Sequence, residues 1–110
     1  MTEIKIIDPK TLETWLASND CVLIDVREPF EYNEVCIVQA INIPLSQLLV
    51  KINEAHDLKN KKIVVHCKAG IRSMMGCQAL EKDGFTGVLW NLEGGIQSWM
   101  DAGLPVISKK

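Results

Sequence analysis

One cysteine near the middle of the chain has the neighbours that a reactive thiol requires. Cys67 ends an apolar run, and the residues after it include Lys68 and Arg72. A free thiol has a pKa of about 8.5, and its thiolate becomes abundant at neutral pH only near cations or a helix N-terminus. The two basic residues supply the cations, and a helix predicted to begin at Ile71 supplies unpaired N–H groups. This segment is therefore predicted to hold a thiolate or to bind an oxyanion.

The loop between the cysteine and the helix contains a glycine with a predicted effect on the backbone conformation. Gly70 is predicted to take a positive φ, which would turn several backbone N–H groups toward one centre. A sulfur held in this way suits nucleophilic catalysis, whether the group transferred is acyl, phosphoryl or sulfur. The residue types alone leave these three chemistries open.

Other ionisable side chains nearby are assigned structural roles. His66 adjoins Cys67, but consecutive strand residues point to opposite faces, so His66 is predicted to lie in the core and not to deprotonate the thiol. Asp25 and Arg27 are predicted to form a buried ion pair or a hydrogen-bonded anchor. The four cysteines are irregularly spaced without a Cys-x-x-Cys pair, a pattern that predicts neither a zinc site nor a disulfide framework.

The chain alternates short apolar runs with longer amphipathic stretches, a pattern typical of an α/β domain. The strands and helices of such a domain would position these residues. The predicted strands span residues 4–7, 22–26, 40–43, 62–66 and 88–91. The predicted helices span residues 9–18, 29–34, 44–55, 71–82 and 95–102. Two of the strands are almost continuously apolar, which favours a mostly parallel five-stranded sheet with helices on both faces. Cys67 then follows the fourth strand at its carboxyl end, where open α/β sheets bind ligands.

Length and composition place limits on the kind of protein. The chain has 110 residues, of which 47% are hydrophobic and 24% charged, as expected for a single folded domain over residues 1–110. The net charge of −2 argues against a broad basic surface for nucleic acid. The N-terminus does not resemble a secretory signal, and the longest uncharged stretch, residues 35–50, is too polar for a membrane span. We expect a cytoplasmic protein with no nucleic-acid or membrane partner.

Four segments of the chain together resemble the single-domain rhodaneses, a family of sulfurtransferases. The segments read LIDVREP at 23–29 with Glu31-Tyr32, AINIPL at 40–45, CKAGIRS at 67–73, and NLEGG at 91–95 with Trp99 and AGLP at 102–105. They occur in the right order and cover nearly the whole chain. The resemblance implies a rhodanese-like three-layer fold.

The resemblance also implies a function and a site. Cys67 would accept a sulfane sulfur as a persulfide, from thiosulfate or another persulfide donor, and pass it to a thiol, a protein thiol or cyanide. The substrate-binding cradle around the sulfur would be formed by Lys68, Ala69, Gly70, Ile71, Arg72 and Ser73. Lys68 and Arg72 would attract a small anionic donor. Such covalent chemistry requires no metal and no organic cofactor.

Two alternative functions remain open. A cysteine phosphatase can share this fold and also uses a thiolate, a basic loop and an arginine. Phosphatases of that type resemble one another in having five residues between cysteine and arginine, whereas Cys67 and Arg72 enclose four, a smaller ring that suits sulfur better. The other alternative is a non-catalytic or redox-sensing rhodanese module, against which the intact cysteine and its basic neighbours argue.

The chain departs from the family pattern at residues 35–40. It reads VCIVQA where rhodaneses usually read Gly-His-Ile-Pro-Gly-Ala, so the turn into the third strand is not expected to follow the family. Cys36 is either a buried core residue or a resolving thiol for a persulfide on Cys67. Cys21 and Cys77 are predicted to be structural.

Overall fold

The computed structural model describes residues 3–55 and 61–108. Within these residues the strands are β1 (Glu3–Ile7), β2 (Val22–Asp25), β3 (Val35–Cys36), β4 (Ile41–Asn42), β5 (Ile63–His66), β6 (Val88–Leu92) and β7 (Ile107–Ser108). The helices are α1 (Pro9–Ala17), α2 (Pro29–Glu34), α3 (Leu48–Glu54), α4 (Ile71–Lys82) and α5 (Gly95–Asp101), and a 3₁₀ turn (Leu45–Gln47) leads into α3. Five strands form a parallel sheet in the order β1-β6-β5-β2-β4. The predicted α/β fold is confirmed.

The two faces of the sheet carry separate hydrophobic clusters. One face of β2 and β5, with Ile24 and Val65, packs against α3 and α4. The opposite face, with Leu23 and Val64, packs against α1 and α5. Successive strand residues point to opposite faces, so a strand covered on both sides must be apolar throughout. This burial explains the continuous apolar runs in the sequence.

The helix boundaries have local causes. Asp8 caps α1 through a bond from the Thr11 N–H to Asp8 Oδ2 at 3.2 Å, and Pro9 occupies the first helical position. Helix α4 ends at Lys82, and Gly84 follows with a φ of +95°. No helix in the described residues is long and apolar enough to cross a membrane.

The sequence prediction was wrong in the middle of the chain and at its end. The strand predicted over 40–43 is reduced to Ile41–Asn42, and the helix predicted over 44–55 begins with a 3₁₀ turn. A second, antiparallel pair was missed, in which Val35 faces Ser108 and Cys36 faces Ile107. Strands of two residues have no measurable periodicity, so pattern analysis cannot detect them.

Candidate active site: the Cys67 loop

Cys67 lies directly after the central strand β5 and is almost completely buried, with 1% of its surface exposed. The chain turns over the next three residues into α4. Gly70 precedes the helix with a φ of +102°, a conformation that residues with a Cβ rarely adopt. The predicted positive φ at Gly70 is confirmed, and the sulfur lies at the carboxyl edge of the sheet as predicted.

The sulfur of Cys67 contacts polar groups of this turn and of α4. The Gly70 N–H donates to Cys67 Sγ at 3.1 Å, and the Ser73 hydroxyl lies 3.4 Å from the same sulfur. Burial acts to raise the pKa of the thiol. A hydrogen bond donated to the sulfur by the Ser73 hydroxyl would lower it, and the N–H groups of Ser73, Gly70 and Ala69 act to lower it as well. The lowering effects are greater, and the pKa of Cys67 lies below its ordinary value.

The start of α5 supports the loop from outside. The Ile96 N–H donates to the Cys67 carbonyl at 2.9 Å, and the Gln97 N–H donates to the Lys68 carbonyl at 3.1 Å. Gly95 has a φ of +62°, and a Cβ built there would lie 2.5 Å from the Cys67 carbonyl oxygen. Only glycine permits this close approach, so Gly95 of the NLEGG segment is part of the site's framework.

Asn91 on β6 connects the two ends of the loop. Its Nδ2 donates to the Gly70 carbonyl at 3.2 Å, and its Oδ1 accepts a bond from the Ser73 hydroxyl at 2.5 Å. Asn91 was not singled out as a site residue from the sequence. A signal was nevertheless present, because an amide in an otherwise apolar buried strand must find hydrogen-bond partners.

Arg72 is held by a carboxylate that the sequence analysis did not assign to the site. Its two terminal nitrogens donate to the two carboxylate oxygens of Glu31 on α2, at 2.7 and 2.9 Å. The Arg72 guanidinium lowers the pKa of Glu31 to about 2, and Glu31 in turn raises the pKa of Arg72. The side chain of Arg72 therefore forms a bidentate ion pair at the mouth of the loop, while Lys68 is exposed.

A charged cluster lies buried behind the loop. Arg27 binds the Asp25 carboxylate through Nη2 at 2.7 Å and Nε at 3.0 Å, which confirms the predicted buried ion pair. His66 Nδ1 lies 3.2 Å from the Cys67 carbonyl oxygen, and its Nε2 lies 3.6 Å from Asp25 Oδ2. Burial lowers the pKa of His66 and keeps its ring neutral. His66 contacts the Cys67 backbone, and its predicted place in the core is confirmed.

The other three cysteines have different surroundings. Burial raises the pKa of Cys77 to about 12 and that of Cys21 to about 11. Cys77 belongs to the core on the α3 and α4 face of the sheet, which confirms its structural role. Cys36 is also buried, with 1% of its surface exposed. All four thiols are free.

The fold and the site define a class of protein: an α/β domain that presents a hydrogen-bonded, buried thiol between a central strand and a helix N-terminus. The model of the rhodanese-like domain family matches residues 8–102. The chain belongs to this family.

Relatives and solved structures agree with this assignment. A sulfurtransferase of Allochromatium vinosum is 34% identical over 103 residues, which cover 93% of this chain and 94% of that protein. A putative sulfurtransferase of Bacillus subtilis, YtwF, is 40% identical over 98 residues, 88% of this chain and 91% of that protein. The crystal structure of a rhodanese-related protein from Thermoplasma volcanium superposes with a TM-score of 0.79 at 36% identity, covering 94% of this chain and 97% of that one.

Proposed function

We propose that this protein is a sulfurtransferase that carries sulfur as a persulfide on Cys67. The observation that carries the proposal is the 3.1 Å bond from the Gly70 N–H to the Cys67 sulfur, at the N-terminus of α4. Backbone donors at a helix N-terminus stabilise an anion there, first the thiolate and then the terminal sulfur of a persulfide. Membership of a family with sulfurtransferase relatives supports the same function.

The first step of the proposed reaction loads the enzyme. The Cys67 thiolate attacks the outer sulfur of thiosulfate with an electron pair, a new S–S bond forms, and the S–S bond of thiosulfate breaks. Sulfite leaves with the bonding electrons, and the enzyme holds Cys67–S–S⁻. A persulfide donor R–S–S⁻ reacts in the same way and leaves as the thiolate R–S⁻. No oxidant or reductant is consumed.

The second step unloads the enzyme. An acceptor thiolate attacks the terminal sulfur of Cys67–S–S⁻, takes it as R–S–S⁻, and returns the Cys67 thiolate with the electrons of the broken bond. Cyanide gives thiocyanate by the same route. We propose a thiol acceptor, small or on a protein, in a cytoplasmic setting where thiols are kept reduced, as the four free cysteines of this chain are.

Recognition of the donor is proposed to rest on the backbone of residues 68–73 and on the exposed side chain of Lys68. The Arg72 charge is shared with Glu31, whose carboxylate it binds at 2.7 and 2.9 Å. The mouth of the loop is therefore less cationic than the sequence alone suggests. A small anion attracted chiefly by Lys68 and by N–H groups fits this arrangement.

Mass spectrometry of the intact protein tests the proposal. After treatment with thiosulfate and removal of excess reagent, we expect a mass increase of one sulfur atom, which cyanide reverses with release of thiocyanate. Cys67→Ser should show no increase, whereas Cys77→Ser, the matched change at a buried thiol outside the site, should keep it. Sulfur uptake by Cys67→Ser would overturn the proposed nucleophile.

A phosphate ester serves as the counter-substrate. Hydrolysis of the ester by wild type, without sulfur uptake from any donor, would favour the phosphatase alternative. Absence of both reactions would favour a non-catalytic or redox-sensing module. Assays with thiosulfate, glutathione persulfide and 3-mercaptopyruvate would distinguish among donor classes.

A further inference from the structure

The Ser73 hydroxyl lies between the Cys67 sulfur and the side chain of Asn91. Its oxygen is 3.4 Å from Cys67 Sγ and 2.5 Å from Asn91 Oδ1. Ser73 is fully buried and Asn91 is 5% exposed, so solvent has little access to either side chain. A hydroxyl has one hydrogen, and the two neighbours compete for it.

The orientation of Asn91 decides this competition. The Gly70 carbonyl can only accept a hydrogen bond, so the end of the Asn91 amide that contacts it, at 3.2 Å, must be Nδ2. The acceptor oxygen of Asn91 then faces Ser73. The Ser73 hydrogen is donated to Asn91, at the shorter of the two distances, and the hydroxyl offers lone pairs to the sulfur of Cys67.

From this geometry we infer that Asn91 is a positioning residue that keeps the Ser73 hydrogen away from Cys67. In the resting protein the Cys67 S–H donates to Ser73 Oγ, and Ser73 donates to Asn91. The inference deepens the proposed sulfur transfer and rests on it for its catalytic meaning. Asn91 contacts neither the sulfur nor the donor and acts only through Ser73 and Gly70.

Ionisation of Cys67 changes this chain of bonds. Once the sulfur has lost its proton, it faces a lone pair of Ser73 unless the hydroxyl rotates. Rotation breaks the bond to Asn91 and leaves a buried amide oxygen without its partner, which is unfavourable. Asn91 thereby restrains thiolate formation, and the backbone N–H groups of the loop stabilise the thiolate that does form.

The test is a pH titration of thiolate absorbance in the ultraviolet, with the Cys67→Ser spectrum subtracted so that the signal belongs to Cys67. The first variant is Ser73→Ala, which leaves the bond between Asn91 and Gly70 in place. If Ser73 accepts from the thiol, its removal should leave the Cys67 pKa unchanged or lower it. A rise of about one unit or more, as loss of a donor to a charged group would cause, would overturn the inference.

The second variant is Asn91→Leu, which releases the Ser73 hydroxyl to donate to the sulfur. We expect the pKa of Cys67 to fall by about one to two units, and the double variant with Ser73→Ala to have the same Cys67 pKa as Ser73→Ala alone. A pKa at or above the wild-type value in Asn91→Leu would contradict the inference. If Asn91→Leu does not fold, the direction in which Ser73→Ala shifts the Cys67 pKa still tests the inference.

The titration needs neither a sulfur donor nor an acceptor. A protein that fails to take up sulfur but shows the expected pKa changes would refute the proposed function and leave the Asn91 assignment standing. Normal sulfur uptake by wild type, together with a raised Cys67 pKa in Ser73→Ala, would support the proposed function and refute the Asn91 assignment.

Discussion

The sulfur of Cys67 differs from the other thiols of the chain in the donors that surround it. Gly70 directs an N–H at it from 3.1 Å, and the pKa of Cys67 is lowered although the residue is buried. Cys77 is equally buried, but desolvation alone acts on it and raises its pKa to about 12. Burial therefore suppresses ionisation of a thiol unless nearby backbone N–H groups stabilise the thiolate. Cys67 has such donors at the N-terminus of α4.

This contrast predicts selective alkylation. At neutral pH a thiol with a pKa near 12 exists as thiolate in roughly one molecule in 10⁵, so iodoacetamide should label Cys67 well before Cys77. Peptide mass spectrometry after a short exposure of the folded protein measures the order. The rapid phase should be absent from Cys67→Ser, and its persistence there would contradict the assignment.

At the scale of elements, the loop is a backbone structure held between helices. The first turn of α5 donates to the carbonyls of Cys67 and Lys68, and α2 holds Arg72 through Glu31. The loop's shape therefore depends on contacts that are distant in sequence. Changes in α5 or α2 should alter the site without touching the sulfur.

Gly95→Ala should damage both stability and sulfur transfer. The positive φ alone costs about 1–2 kcal/mol for a residue with a Cβ, and the overlap with the Cys67 backbone adds about 1–3 kcal/mol, because a Cβ would come within 2.5 Å of it. Gly103→Ala is the matched control, since Gly103 has a φ of +76° with nothing within 4 Å of its Cβ position. Urea unfolding and kcat/KM should show the larger loss in Gly95→Ala, and equal losses would disprove the overlap.

The ion pair between Glu31 and Arg72 should contribute about 1 kcal/mol to the free energy of unfolding at neutral pH, the upper part of the range for partly exposed pairs, because it is bidentate. A double-mutant cycle with Glu31→Gln and Arg72→Gln measures it. The pKa of Glu31 is depressed from 4.5 to about 2 in the folded protein. The contribution is therefore complete above pH 4.5 and lost as the pH falls to about 2.

A second cycle on Glu3 and Lys5 is the control for this pair. Their charged atoms lie 3.5 Å apart and both side chains are about half exposed, at 62% and 47%. We expect a coupling close to zero there. A coupling for Glu31 and Arg72 that equals the control, or that does not weaken in acid, would show that the pair does not hold α2 to the loop.

The sequence predicted the elements whose signals are long or strongly apolar. Helix α4 over 71–82 and α2 over 29–34 were placed at their observed bounds, because Gly70 precedes the first and Pro29 begins the second. The strands β3 and β7 were missed because the pairing of Val35 with Ser108 depends on residues far apart in the chain. Local patterns carry no information about such contacts.

The site also contains a part that the local sequence predicts and a part that depends on distant contacts. Cys67, Gly70 and the helix N-terminus could be predicted, because one short segment contains all of them. The partner of Arg72, 41 residues away, could not, and neither could the bond from Ser73 to Asn91. These contacts follow from the register of β5 beside β6 and from the docking of α2, which only the three-dimensional arrangement defines.

At the scale of the whole molecule, a buried polar layer lies between the two hydrophobic clusters at the edge of the sheet that carries the loop. Asp25, Arg27 and His66 are all at most 3% exposed. Charges in such a position are tolerated only when they are paired, and here Arg27 pairs with Asp25 while His66 remains neutral. The stability of the whole fold should therefore respond to the protonation of His66.

We expect acid to destabilise the protein below about pH 6.5. Burial holds the pKa of His66 below its ordinary value of 6.5, so below that pH the unfolded chain binds a proton that the folded protein does not. The free energy of unfolding should then fall with decreasing pH, by at most about 1.4 kcal/mol per pH unit.

His66→Asn removes this titration and keeps an amide that can donate to the Cys67 carbonyl, as Nδ1 of the ring does. Urea unfolding between about pH 7 and pH 5, a window above the range in which the Glu31 contribution changes with pH, should give a flatter curve for the variant than for wild type. The same substitution at His56, the other of the two histidines, measures how much of the slope belongs to that residue. Parallel curves for wild type and His66→Asn would mean that the buried ring does not set the acid limit of the fold.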